Sequence, residues 1–173
     1  MSERILIPLD GSRIGESVIP FAESLASVFS AELILFQVVE PELSISESAN
    51  VEVASAMQKA LQGRQASALA YLDAVGEQLK AKGLRVSPAY IIASMSPTDE
   101  IIEYAEANAV DLIAMSTHGR SWVGRWVFGS VTDKVLHAGD TPVWWFGRKR
   151  LEYSAPSIRG MELKKWTLLW RGD

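Results

Sequence analysis

Short runs in which almost every residue is apolar recur along the chain: Arg4–Leu9 (RILIPL), Glu32–Val39 (ELILFQVV), part of Leu84–Ala93, Val110–Met115 (VDLIAM) and Val143–Phe146 (VWWF). Runs of this length without polar alternation suit strands buried on both faces, as in a parallel sheet. Pro8 and Pro88 each remove a ladder donor, which puts Pro8 at a strand end and the Leu84–Ala93 strand at an edge or with a late start. Between these runs the apolar period changes. Val18, Phe21, Ala22, Leu25, Ala26 and Phe29 predict an amphipathic helix over residues 13–30, with Pro20 in its first turns. A second helix spans 51–82, with Leu61, Leu69, Leu72, Val75 and Leu79 on one side, Gly63 as an interruption that frays its first half, and Gly83 as its stop. Ser96-Pro97-Thr98-Asp99 reads as a capped helix start, and that helix continues through Ile101, Ile102, Tyr104 and Ala105 to Asn108. Ser130-Val131-Thr132-Asp133 repeats the cap, with Val131, Val135 and Leu136 on the buried side and Gly139 at the end. Residues 40–50 are acidic, serine-rich and without period, as in a surface loop.

Alternating strands and helices with short connections predict an open five-stranded parallel sheet with right-handed crossovers and helices on both faces, a Rossmann-like α/β fold. Residues 1–147 form this domain, and residues 148–173, which differ in composition, form a C-terminal extension. A length of 173 residues suits one domain with a modest appendage. The net charge of −4 argues against a nucleic-acid duplex as the main partner, because such binders concentrate positive charge. With no cysteine, disulfides and thiol-based metal sites or catalysis are excluded. A start that enters a strand pattern almost at once, with no apolar run of membrane length, leads to the expectation of a cytoplasmic protein.

The candidate chemistry lies in Ser116–Val131, where the fourth strand feeds into a helix through a glycine-spaced loop. Open α/β sheets hold ligands at such places, and the free N–H groups of a helix beginning at Gly129-Ser130 suit an anion. Gly119-x4-Gly124 begins like a Walker A loop, yet Arg125-Trp126 stands where Lys-Ser/Thr is required, and there is no G-x-G-x-x-G. The standard triphosphatase and dinucleotide readings therefore fail. Asp10, at the end of the first strand, stands where nucleophilic aspartates of phosphatases and phosphoacceptor domains also stand. The second acid such chemistry needs for magnesium is missing, with Ser12 in its place.

Together these pieces resemble the universal stress protein family. The resemblance rests on Ile5–Ser12 (ILIPLDGS), on Phe36–Val39, and on Met115–Gly119 followed after nine residues by Gly129-Ser130-Val131, and it covers residues 1–147. The family's ATP-binding members show G-x2-G-x9-G-[ST], which this chain matches except that Ser116 replaces the first glycine. The resemblance implies an open five-stranded α/β fold like that of other adenine-nucleotide-binding domains, commonly dimeric, with the nucleotide at the carboxyl edge of the sheet. It implies that Asp10 and Val38 border the adenine and that Pro8 shapes that wall. Met115 and Ser116 would approach ribose and phosphates, while Gly119, Gly129, Ser130 and Val131 would receive phosphate through backbone N–H groups and the serine hydroxyl. Arg120 and Arg125 are placed to supply positive charge. If the replaced glycine has positive φ, a serine there costs roughly 1 kcal/mol or somewhat more. If φ is negative, the serine costs little and adds a donor.

Other residues have more ordinary readings. His118 lacks an adjacent carboxylate or serine that would define a catalytic pair, and His137 reads as a helix-terminus residue. Trp144, Trp145 and Phe146, in a last strand, suit a homodimer contact through Val143–Phe146, and Trp122 and Trp126 suit either a cover over the site or that same interface. In the extension, Leu163, Trp166, Leu169 and Trp170 fit a helical face and Trp166, Leu168 and Trp170 fit strand alternation. Packing on the domain or on a partner subunit is favoured there over a membrane surface. The leading expectation is thus a stress-response protein that binds ATP or another adenine nucleotide, with or without Mg2+. It has no catalytic residue or protein-held metal, so any hydrolysis or autophosphorylation is slow. The competing reading is a nucleotide-free scaffold acting through its dimer surface and extension, and a third, an enzyme using Asp10, lacks its metal-binding acid.

Overall fold

A computed structural model of the protein describes residues 3–41, 51–116, 131, 134–135 and 141–146. The apolar runs become strands, and those at residues 4–8, 32–39 and 112–116 have both faces covered. Strands β1 (Arg4–Pro8), β2 (Glu32–Val39), β3 (Arg85–Ile92), β4 (Leu112–Ser116) and β5 (Val143–Phe146) form one sheet in the order β3-β2-β1-β4-β5. Every neighbouring pair is parallel, with Ile5 opposite Leu33 and Leu112, Leu35 opposite Pro88, and Ile113 opposite Val143. Strand alternation divides the core in two. Ile5, Ile7, Leu33, Leu35, Leu112 and Ala114 pack with Ala22, Leu25, Leu72 and Leu79 on one face, and Leu6, Ile34, Phe36, Ile113 and Met115 pack with Ile101, Ala105 and Val135 on the other. The expected fold class is the one observed, and β3, with its Pro88, lies at the sheet edge.

The helices depart from their sequence pattern in instructive ways. The segment after β1 begins with a single 3-10 turn, Gly15–Val18, and only then becomes helix α1 (Ile19–Phe29), which carries Pro20 in its first turn and ends at Ser30 in the left-handed region. Helix α2 (Val51–Lys80) runs unbroken through Gly63, so the expected interruption there is not found. Its sheet-facing residues are Ala68, Leu72, Gly76 and Leu79, whereas Leu69 is 42% exposed. The small residues Ala68 and Gly76 let the helix sit close, with Val86 and Leu35 at 3.7 and 3.8 Å from where a Cβ on Gly76 would lie. That approach sets the contact stripe and turns Leu69 away. A helix of 30 residues is about 45 Å long, while an eight-residue strand spans about 26 Å. The first half of α2 therefore overruns the sheet, which accounts for its exposure.

Helix α3 (Pro97–Ala107) starts as its sequence predicts, with Ser96 as the cap: its hydroxyl accepts from the Asp99 N–H at 3.3 Å and donates to the Asp99 carboxylate at 2.6 Å. Strand β4 begins at Leu112 and includes Ser116, a shift from the predicted Val110–Met115. The displacement follows from Ala109, whose φ of 49° turns the chain, and from Val110, whose N–H still bonds the Ala105 carbonyl at 2.9 Å as part of the helix ending. Val131, Lys134 and Val135 are helical, and Val135 is fully buried. Trp144 packs edge-on against Phe21 of α1 with ring centroids 4.2 Å apart, so this member of the aromatic run belongs to the core of its own chain. Among the described residues, no helix is long and apolar enough to cross a membrane.

Candidate functional site

The strand order fixes where a crevice must open. From β1 the chain moves outward through β2 to β3, then returns to place β4 on the other side of β1, so connections leave β1 and β4 in opposite directions. Such a topological switch point leaves a crevice outside the carboxyl ends of the two strands. Pro8, Leu9 and Asp10 leave β1 on one side of it, and Met115 and Ser116 end β4 on the other. Pro8 is level with Phe36, and the Leu9 N–H donates to the Phe36 carbonyl at 2.8 Å, so pairing continues past the strand end and carries Asp10 to the level of Val38.

Alternation then decides which side chains share a face. Met115 belongs to the cluster under α3, and Val38 and Val131 pack against that cluster. Pro8, two residues beyond Leu6, falls on the same face. Four of the expected residues, from three adjacent strands and the following helical segment, thus form one apolar wall at the carboxyl edge.

Asp10 follows β1 at the same carboxyl edge and is held by its own turn. Its Oδ1 accepts the Ser12 N–H at 2.9 Å, and the Ser12 hydroxyl accepts the Gly15 N–H at 3.0 Å. Gly11, at φ 76°, makes the turn possible. Gly15 is required for a different reason: a Cβ there would lie 2.6 Å from Asp10 Oδ1 and 3.3 Å from the Ser12 hydroxyl. Backbone and carboxylate approach each other as closely as a glycine permits.

Ser116 is 8% exposed and continues β4, level with Phe146 of β5. Among the described residues only Ser30 and Ala109 are non-glycine residues with positive φ. Serine at 116 therefore carries no left-handed strain, and of the two cases posed by the replaced glycine the inexpensive one holds. Gly119, Arg120, Gly129 and Ser130, as well as His118, Trp122, Trp126, Leu136, His137, the loop 42–50 and the extension, lie outside the described residues.

One residue of this edge escaped the sequence reading. Glu100, in the first turn of α3, is 2% exposed, and its Oε1 accepts from the Ser94 N–H at 2.6 Å, the Met95 N–H at 2.9 Å and the Ser94 hydroxyl at 3.1 Å. The Ser94 amide leads the bonds that hold its carboxyl below the ordinary glutamate range, against the opposing effects of burial and the Asp99 charge. Two adjacent acids follow Ser-Pro-Thr, and the cap accounts for Asp99 alone, so the second acid was the available signal. Among the described residues, no three His, Asp or Glu side chains converge on a possible metal position.

The model of the universal stress protein family matches residues 1–146. The chain belongs to the universal stress protein family. Among its relatives, the universal stress protein MJ0531 of Methanocaldococcus jannaschii is 29% identical over 143 residues, covering 82% of this chain and 79% of that one. Among solved structures, the protein MJ0577 of the same organism superposes with a TM-score of 0.73 at 24% identity, covering 87% of this universal stress protein and 99% of its own chain. A universal stress protein in complex with cAMP matches with a TM-score of 0.60 at 20% identity over 84% of this chain and 97% of its own. One from Archaeoglobus fulgidus in complex with dAMP matches at 0.53 and 16% identity, covering 84% and 97%. These likenesses establish the universal stress protein fold for the chain.

Proposed function

We propose that this universal stress protein binds ATP or a related adenine nucleotide at the carboxyl ends of β1, β2 and β4, in a regulatory role without fast turnover. The observation that carries this reading is the convergence of Pro8, Val38, Met115 and Val131 on one face beside a fixed Asp10, at the switch point of the sheet. An apolar wall with one oriented polar acceptor fits a purine, which needs a slot and a partner for its exocyclic or ribose donors. The cAMP and dAMP complexes of other family members support the same ligand class. Ser116 brings its hydroxyl to the end of β4. Gly119, Gly129, Ser130 and Val131 are the groups we assign to the phosphates, on the resemblance of their motif to that of the family's ATP-binding members, with Arg120 as nearby positive charge. Any Mg2+ would come bound to the triphosphate, because among the described residues no cluster of carboxylates gathers with Asp10 to complete a site.

We assign homodimer pairing to the outer edge of β5, which among the described residues is hydrogen-bonded to β4 alone. The nucleotide assignment is tested by denaturing the purified protein and examining the released material by absorbance and mass. Bound adenine nucleotide, or a rise in melting temperature on adding ATP with Mg2+, is the expected result. If neither is seen, the scaffold reading replaces this one.

A further inference from the structure

The turn between β3 and α3 is held in a way that its length does not require. It follows directly on the sheet, since the Ala93 N–H donates to the Val39 carbonyl at 2.9 Å and Ile91 is level with Val38. It therefore lies at the carboxyl edge next to the end of β2, and Ile91 packs on the same cluster as Val38 and Met115. A four-residue connection of this kind needs one helix cap, and Ser96 supplies it. Yet Glu100, a full turn further on, is buried to 2% exposure and spends one carboxylate oxygen on three donors of Ser94 and Met95. Burying a carboxylate is costly unless such donors repay it, and the result is a turn with both amides fixed.

What this clamp presents is Met95, 45% exposed, a large flexible apolar side chain on a rigid backbone. Nearly half of this side chain is open to a guest, and a thioether is well suited to covering the face or edge of an aromatic ring. Resting on the nucleotide reading of the site, we propose that Met95 is the outer contact of the base pocket, beside Val38. Glu100 is the positioning residue that holds it there. The base is then bounded on the β1–β4 side by Pro8 and Met115 and on the β3 side by Met95, which explains why a polar clamp is buried at this edge.

Calorimetric titration of the full chain with adenosine and with ATP tests this, alongside amide hydrogen exchange of Ser94 and Met95. Met95→Ala is expected to weaken adenosine and ATP by the same factor, about five- to tenfold, because the lost contact is to the base. Glu100→Ala is expected to accelerate exchange at both amides and to weaken both ligands to a similar degree. Glu100→Gln, whose amide oxygen can accept the same three bonds, is expected to restore most of the affinity. This rescue is the readout that a general loss of stability would not give. Wild-type affinity for adenosine in a folded Met95→Ala variant, or loss with ATP alone, overturns the proposal while leaving the nucleotide reading intact. If the wild-type protein binds neither ligand, the nucleotide reading itself fails, and the proposal with it.

Discussion

Gly15→Ala is the substitution whose effect the geometry specifies most closely. The added Cβ would lie 2.6 Å from Asp10 Oδ1 and 3.6 Å from its Cγ, against a carbon–oxygen contact that real structures seldom bring below 3.0 Å. Something must move, and the neighbours are not loose. Asp10 is tied to the Ser12 N–H at 2.9 Å and Ser12 to the Gly15 N–H at 3.0 Å, so relief of the clash breaks the turn that aims the carboxylate. Losing one such hydrogen bond costs about 1 kcal/mol, and forcing a methyl into a filled space costs about 1–3 kcal/mol. The larger helix propensity of alanine returns a few tenths at most in a 3-10 turn. The expected net destabilisation is about 1–3 kcal/mol, read as a lower urea midpoint at unchanged slope. Because Asp10 is displaced, adenine-nucleotide affinity should fall about tenfold or more in the molecules that remain folded. Gly63→Ala is the control: nothing lies within 4 Å of its added Cβ and it sits inside α2, so it should stabilise by about 0.5–1 kcal/mol and leave affinity unchanged. A Gly15→Ala protein with wild-type midpoint and wild-type affinity would refute the close approach and the role given to Asp10.

Three further outcomes follow from the same structure. Ser116→Gly, which restores the motif's glycine, should lower stability by at least about 0.5–1 kcal/mol in urea denaturation, because Ser116 has extended strand backbone, so glycine relieves no strain and adds entropy to the unfolded chain; a gain would show that the serine is strained. Ala109→Gly should raise stability by about 0.5–1 kcal/mol after glycine's entropy cost, read as a higher urea midpoint, since Ala109 sits at φ 49° where a side chain is penalised. The carboxyl of Glu100 is held below its ordinary value, so its contribution is fully present above the unfolded glutamate range and is lost as pH falls through the folded value. Denaturation midpoints measured from pH 6 to pH 3 should therefore fall less steeply in Glu100→Gln than in the wild type, and equal slopes would contradict the assignment.

Much of the fold was legible because strands buried on both faces leave unbroken apolar runs, and β2 and β5 appear at their predicted bounds. The helix faces were less so. Leu69 was expected on the buried side of α2, but small residues decide how closely a helix approaches a sheet, and Ala68 and Gly76 carry no hydrophobic signal strong enough to outweigh a leucine. Gly63 did not interrupt α2, since a single glycine costs only about 1 kcal/mol in a long helix. For the site, Pro8, Asp10, Val38 and Met115 could be named only through the resemblance of the motifs around them to the universal stress protein family. Their convergence depends on strand order, which periodicity does not encode; it took the parallel pairing of β1 with both β2 and β4 to bring them to one crevice. Glu100 went unread because an acid in a first helical turn has an ordinary explanation, and only its burial shows that it serves the preceding turn instead.

The central claim is about place as much as ligand: an adenine nucleotide at the switch point of the sheet. Amide chemical shifts recorded while ATP is titrated into the isotopically labelled full chain test both together. The account predicts that the largest shifts fall on Leu9, Asp10 and Gly11, on Val38 and Val39, and on Met115 and Ser116, with the opposite edge at Glu3, Glu32 and Asp111 unmoved. Shifts confined to that opposite edge, or none at saturating ATP, would contradict it.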